Sequence, residues 1–223
     1  TDLSKTILVG ANLSNTQLGN MNFEGKNFEL TNFDYQDLSN TDLSSSNFKN
    51  SSFYESTLEN TIMKKSIFVN VDLKNIKNHS LLGSYINETT FSYSDLQGIR
   101  FPTELEYSNF YNSNLNDTDF SNSFVIGSIF SDTELHNANL ENSKFGIFQN
   151  SKTFENSVYL TQEEIRNKIS SFPIVLLTQL IPDGDYLHVE YLIFNHFFNA
   201  DLENANLKNA TFLFADFTNA NLK

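Results

Sequence analysis

One spacing governs this chain: a large apolar residue stands at every fifth position. It runs unbroken from Leu3 through Leu8, Leu13, Leu18, Phe23, Phe28, Phe33, Leu38, Leu43, Phe48, Phe53, Leu58, Met63 and Phe68 to Leu73. After a step of eight it resumes as Leu81, Ile86, Phe91, Leu96 and Phe101. After a step of four it continues from Leu105 to Phe145, and a last run goes from Phe197 to Leu222. Of the 22 phenylalanines, 15 occupy this position. A period of five matches neither the 3.6 of a helix nor the 2 of a simple strand. It suits a chain that turns a corner every five residues. Each side then sends one large and one small residue inward and leaves three in water.

The flanking positions agree with that reading. Two residues before each large one the side chain is usually small, as in Thr103, Ser108, Ser113, Thr118, Ser123 and Ser128. Between them Asn or Asp is common, as in Ala138-Asn139-Leu140 and Ala215-Asp216-Phe217. Asn and Asp beside corners satisfy turn backbone groups with their own side chains. Small residue, Asn or Asp, Leu or Phe, then two variable positions: this pattern resembles the pentapeptide-repeat family over about 175 of the 223 residues. The resemblance implies an all-β solenoid, a right-handed quadrilateral β-helix with four pentapeptides per coil. Its 35 repeats then make nearly nine coils, roughly 40 Å of rod at about 4.8 Å per strand. Inward residues twenty apart stack in ladders, among them Phe28, Phe48 and Phe68, and Phe33 and Phe53.

The pattern divides the chain into repeats over 1–147, a non-repeat segment over 148–195, and final repeats over 196–223 that continue the same solenoid. Register breaks near 74–80 and 102–104 read as corner loops. Within the non-repeat segment, Thr161-Gln162-Glu163-Glu164 has the form of a helix capping box, which predicts a helix from Gln162 to about Ser170. Ser171-Phe172-Pro173 predicts a second helix through Ile181, stopped by Pro182-Asp183-Gly184. Asp185 to Phe194 suits strand or helix equally. The segment is therefore expected to be a mostly helical insertion on the side of the rod.

Catalytic signatures are missing. His79, His136, His188 and His196 show no metal-ligand spacing, and the nearest approach to a cluster is His188 with Glu190 and His196. There is no cysteine for a thiolate site or disulfide. No cofactor, metal or catalytic residue is assigned, and the chain is read as non-enzymatic. No stretch approaches the roughly 20 apolar residues of a membrane span.

Charge says more. The net charge is −13, which opposes direct nucleic-acid binding, because phosphate contacts need Lys and Arg. Residues 79–147 hold nine anions against Arg100 and Lys144 alone. Asp117, Asp119, Asp132 and Glu134 flank two successive corners there and border one rod face, the candidate surface for a partner. The expected role is a scaffold for protein–protein interaction. The chain starts at Thr1 and its repeats run to Lys223 without a cap, which suggests a piece of a larger protein such as a secreted effector. The end of the solenoid leaves room for a homodimer. The resemblance also implies an alternative, an acidic DNA mimic that binds DNA gyrase or topoisomerase IV. A cytoplasmic location is expected, with export as an effector as the other outcome.

Overall fold

The chain coils because one residue in five takes a left-handed backbone. In a computed structural model describing residues 8–16, 18, 21–145, 159–160, 174–180, 187–193, 195–212 and 215–223, most corners are β-turns. The amide of each small residue closes the turn on the carbonyl of the preceding large one. Examples are Thr41 N–H to Leu38 O at 3.2 Å and Ala138 to Leu135 at 3.1 Å. The third residue of the turn has φ near +60°, as at Asn40 (59°), Asn122 (59°) and Asn204 (58°). Asn and Gly enter this region at the least steric cost. The Asn or Asp before the large residue does a second task, since its Oδ1 accepts the amide two positions on. Asp34 N–H meets Asn32 at 2.7 Å, and Ser121 N–H meets Asp119 at 2.9 Å.

Coils stack in parallel register. Along one face the bridged positions are Asn12, Asn32, Ser52, Asp72, Asp95, Asn114, Glu134, Asp201 and Asn221, nine coils in all. Regular coils are 20 residues apart. The step from Asp72 to Asp95 is 23, with a 3₁₀ turn at Lys77–His79 taking up the excess, and the step from Asp95 to Asn114 is 19. The step from Glu134 to Asp201 is 67, a coil of 20 with 47 residues added.

Short strands appear where the corner is less tight: β1 (Ile86–Asn87), β2 (Glu104–Glu106), β3 (Phe124–Ile126) and β4 (Lys144–Phe145). Then come β5 (Tyr159–Leu160), β6 (Ile174–Leu180), β7 (Leu187–Ile193), β8 (Asn195–His196), β9 (Thr211–Phe212) and β10 (Ala215–Asp216). A parallel sheet runs β1-β2-β3-β4-β9, so β9 lies directly on the strand that precedes the added residues.

The core is a column of inward side chains. Eight phenylalanines form one file: Phe28, Phe48, Phe68, Phe91, Phe110, Phe130, Phe197 and Phe217. Neighbouring rings in it are stacked 4.7–5.4 Å apart. The file passes through every change of register. Phe33 and Phe53 stack at 5.2 Å in the adjoining file. Most of the small inward hydroxyls are buried with a hydrogen bond, donated to a carbonyl of a large-residue position. Ser51 reaches Phe28 O one coil down at 2.6 Å, and Thr133 reaches Phe130 O in its own turn at 2.6 Å.

The helical insertion is corrected. Ile174–Leu180, placed in a second helix from sequence, is strand β6, and the ambiguous run gives strand β7. They pair antiparallel from Ile174↔Ile193 to Leu180↔Leu187, with β5 on the other side of β7. Short apolar runs do not reveal their period, and β-branched Ile174, Val175, Val189 and Ile193 favour strands. The six residues joining β6 to β7 contain Pro182-Asp183-Gly184, a turn signature that serves a hairpin as well as a helix stop. The first predicted helix, Gln162 to Ser170, lies outside the described residues. Among the described residues no helix is long and apolar enough to cross a membrane.

Three substitutions test this account. Phe48→Ala empties a fully buried rung and should destabilise by about 3–5 kcal/mol. Phe124→Ala, at a position 43% exposed, should lose clearly less in the same chemical denaturation, and equal losses would break the assignment of inward positions. Leu30 holds φ +62° with a side chain 59% exposed. Leu30→Asn should raise stability by about 1 kcal/mol by relieving left-handed strain.

Candidate functional site

The outward positions before and after the file Leu13, Phe33, Phe53, Leu73, Leu96, Leu115, Leu135, Leu202 and Leu222 make one rod face. From Asp72 to Glu203 this face and its trailing corner carry six carboxylates: Asp72, Asp95, Asp117, Glu134, Asp201 and Glu203. The lysine among them, Lys74, is neutralised by Asp95 at 2.6 Å and Asp72 at 3.6 Å. The structure places the four residues singled out from sequence around this face. Asp132 stands on its leading corner and Glu134 on the face itself. Asp117 stands on the trailing corner, and Asp119 lies just across that corner on the adjoining side. Asp132, Glu134 and Asp95 line a shallow notch with Tyr93, Asn112 and Asn114.

These carboxylates are tied down by side-chain amides of neighbouring coils. Asp117 accepts from Gln97 Nε2 at 2.9 Å and Asn137 Nδ2 at 3.1 Å. Asp119 accepts from Asn139 at 3.1 Å, Asp132 from Asn199 at 2.9 Å, and Glu134 from Asn116 at 3.0 Å. The Gln97 and Asn137 donors hold the Asp117 carboxyl below its ordinary value of 3.8. The face is therefore charged and also rigid.

One group escaped the sequence reading. His136, Asp201 and Glu203 come together, with one ligand-capable atom of each within 4.8 Å of the others. His136 Nε2 lies 2.8 Å from Asp201 Oδ2. That contact raises the His136 pKa above 6.5 and lowers that of Asp201. The register jump of 67 hides this proximity in the sequence; with the 47 added residues set aside, His136 and Glu203 share one column. Of the cluster suspected from sequence, His196 faces Asp216 at 3.9 Å, while the side chains of His188 and Glu190 lie outside the described residues.

With the architecture in place, a family model for pentapeptide repeats matches residues 1–34, 11–50, 37–75, 108–146 and 196–223, in 8 copies. The chain belongs to the pentapeptide-repeat family. A comparison with curated proteins finds no match. Among solved structures this pentapeptide-repeat protein is similar to HetL, a pentapeptide repeat protein involved in heterocyst differentiation regulation in the cyanobacterium Nostoc sp. The likeness has 12% identity over 96% of this chain and 88% of that one, with a TM-score of 0.39. It is similar to full-length QnrB1, a plasmid-mediated fluoroquinolone resistance protein, at 20% identity over 62% and 86% of the two chains, TM-score 0.31. A third likeness is to a pentapeptide repeat protein of the Arabidopsis thaliana thylakoid lumen. It has 15% identity over 60% and 72%, with a TM-score of 0.28.

The lowered pKa of Asp117 has a directional consequence. A carboxyl held lower in the folded state stabilises fully above its unfolded value, and that contribution drains away as pH falls through the folded one. Urea midpoints followed from about pH 6 to about pH 3 should fall less steeply in Asp117→Asn than in wild type. Parallel curves would mean that the amide bonds to Asp117 contribute nothing to folding.

Proposed function

We propose that the protein works as a non-enzymatic binding scaffold whose acidic face receives a basic surface of another protein. The observation that carries this reading is the run of six carboxylates against one already paired lysine over five consecutive coils. Fixed like charges along a rigid rod steer a basic partner toward them and set its orientation. Asp117 and Glu134 lie near its centre, with Asp132 on the leading corner and Asp119 just across the trailing one. Backbone and core are satisfied within the rod, so these side chains are free to serve recognition.

A narrower form of the same reading takes the partner to be a protein that normally grips DNA, with DNA gyrase and topoisomerase IV as the first to try. Regularly spaced carboxylates on a rod present charge in the manner of a phosphate backbone. That observation favours the mimic form over an unspecialised acidic surface.

The test uses the quadruple variant Asp117→Asn, Asp119→Asn, Asp132→Asn, Glu134→Gln. These positions face water, so each change should alter stability within about 0.5 kcal/mol. Wild-type protein should inhibit or protect gyrase or topoisomerase IV at micromolar concentration. That effect should weaken steeply between about 50 and 200 mM salt and be lost in the variant. No effect on either enzyme removes the mimic form. Binding partners retained equally by wild type and variant, at low and high salt alike, would remove the acidic-face reading itself.

A further inference from the structure

The geometry points to a divalent transition-metal site formed by His136, Asp201 and Glu203, which would staple the coil before the 47 added residues to the coil after them. Backbone pairing fixes where the three side chains start. Leu135 N–H donates to Asp201 O at 2.6 Å, Asn137 N–H donates to Glu203 O at 3.0 Å, and Glu134 bridges Asp201. His136 therefore stands level with Glu203 of the next coil and one outward position on from the level of Asp201. Asp201 and Glu203, two apart on an extended side, face the same way.

The carboxylate of Asp201 is already aimed. Its Oδ1 accepts from Glu203 N–H at 3.1 Å and from Asn221 Nδ2 at 2.9 Å. That leaves Oδ2 turned to His136 Nε2, 2.8 Å away. Such outer hydrogen bonds are what orient metal ligands in built sites. Glu203 is exposed and has the rotamer freedom to complete the set. Ligand atoms up to 4.8 Å apart need to approach to about 3.4 Å, a closure of about 1.4 Å, to share a tetrahedral ion at about 2.0–2.2 Å from each.

The donor chemistry selects the ion. One imidazole with two carboxylates suits zinc and its first-row neighbours, whereas calcium and magnesium call for all-oxygen shells. Water would fill the remaining positions. The charged neighbours include Glu134 on the His136 coil and Asp117 one coil before it, which add to the negative field, while Lys223 follows Glu203 in the same column one coil on. A metal here would close a bond between residues 65 and 67 positions apart, across the point where the rod is interrupted.

Zinc chloride titrated into the full chain by calorimetry should show one saturable site, and zinc should raise the thermal midpoint by several degrees once in excess of its dissociation constant. His136→Gln and Glu203→Gln should each weaken binding by at least about tenfold. His196→Gln, on the other His–Asp contact, should bind as wild type does. Cobalt added in place of zinc should give visible absorption bands that disappear in His136→Gln. If His136→Gln does not fold, the exposed Glu203→Gln variant decides alone. Absence of any zinc heat at millimolar metal, or equal affinity in wild type and both ligand variants, would overturn the site.

Discussion

Turning inward again after every five residues requires the chain to enter the left-handed region at most corners, and most of the molecule follows from meeting that demand coil after coil. For most residues that conformation is uphill by about 1–2 kcal/mol. Asparagine reduces the strain, which is why Asn fills so many corners. The closing bond from the small residue to the large residue's carbonyl makes each turn complete by itself. What a turn cannot supply is burial. That comes only when the next coil lays its phenylalanine over the one below, as Phe48 does over Phe28 at 5.2 Å. Local geometry and stacking thus depend on each other, and neither has a partner farther away than the adjacent coil.

This nearest-neighbour arrangement explains how the rod absorbs changes of length. The three extra residues between Asp72 and Asp95 and the one missing before Asn114 leave Phe68, Phe91 and Phe110 stacked at 5.4 Å each. The 47 added residues leave Phe130 and Phe197 stacked at 4.8 Å. A coil needs only that its exit point and re-entry point lie one strand spacing apart. The antiparallel hairpin β6–β7 suits that requirement, because a hairpin returns the chain in the direction it came from.

How much of this could be read from the sequence depends on how local the cause was. Inward positions, such as Phe33, Phe53 and Phe110, follow from a spacing that repeats every five residues, and the corner Asn residues from the chemistry of a single turn. Ile174–Leu180 suits helix as well as strand from sequence because five apolar residues in a run of seven do not display a period. The acidic residues Asp117, Asp119, Asp132 and Glu134 could be picked from their charge and corner positions. Of their amide partners, Asn137 lies a regular 20 residues on, but Gln97 and Asn199 need the register across coil steps of 19 and 67. His136 and Glu203 were invisible for the same reason. Their meeting depends on how the chain leaves and rejoins the rod, and no local pattern encodes it.

The division of labour within each repeat bears on function. Positions facing the core are restricted to Phe, Leu and small residues, and corners to residues that accept positive φ. The positions on either side of each large residue answer to fewer demands, and there this chain has concentrated carboxylates on one side of the rod. Charge of one sign, repeated at the strand spacing, repels itself and would loosen the stack if nothing opposed it. The opposing element is the set of amide ladders, in which Asn137, Asn139, Asn199 and Asn221 each donate to a carboxylate one coil away. These bonds offset repulsion while leaving the charge in place. They also hold Asp117, Asp119, Asp132 and Asp201 in an ordered row, which under the proposed function would reduce the side-chain entropy lost on binding a partner. A surface that needed acidity only for solubility would have no need of such alignment.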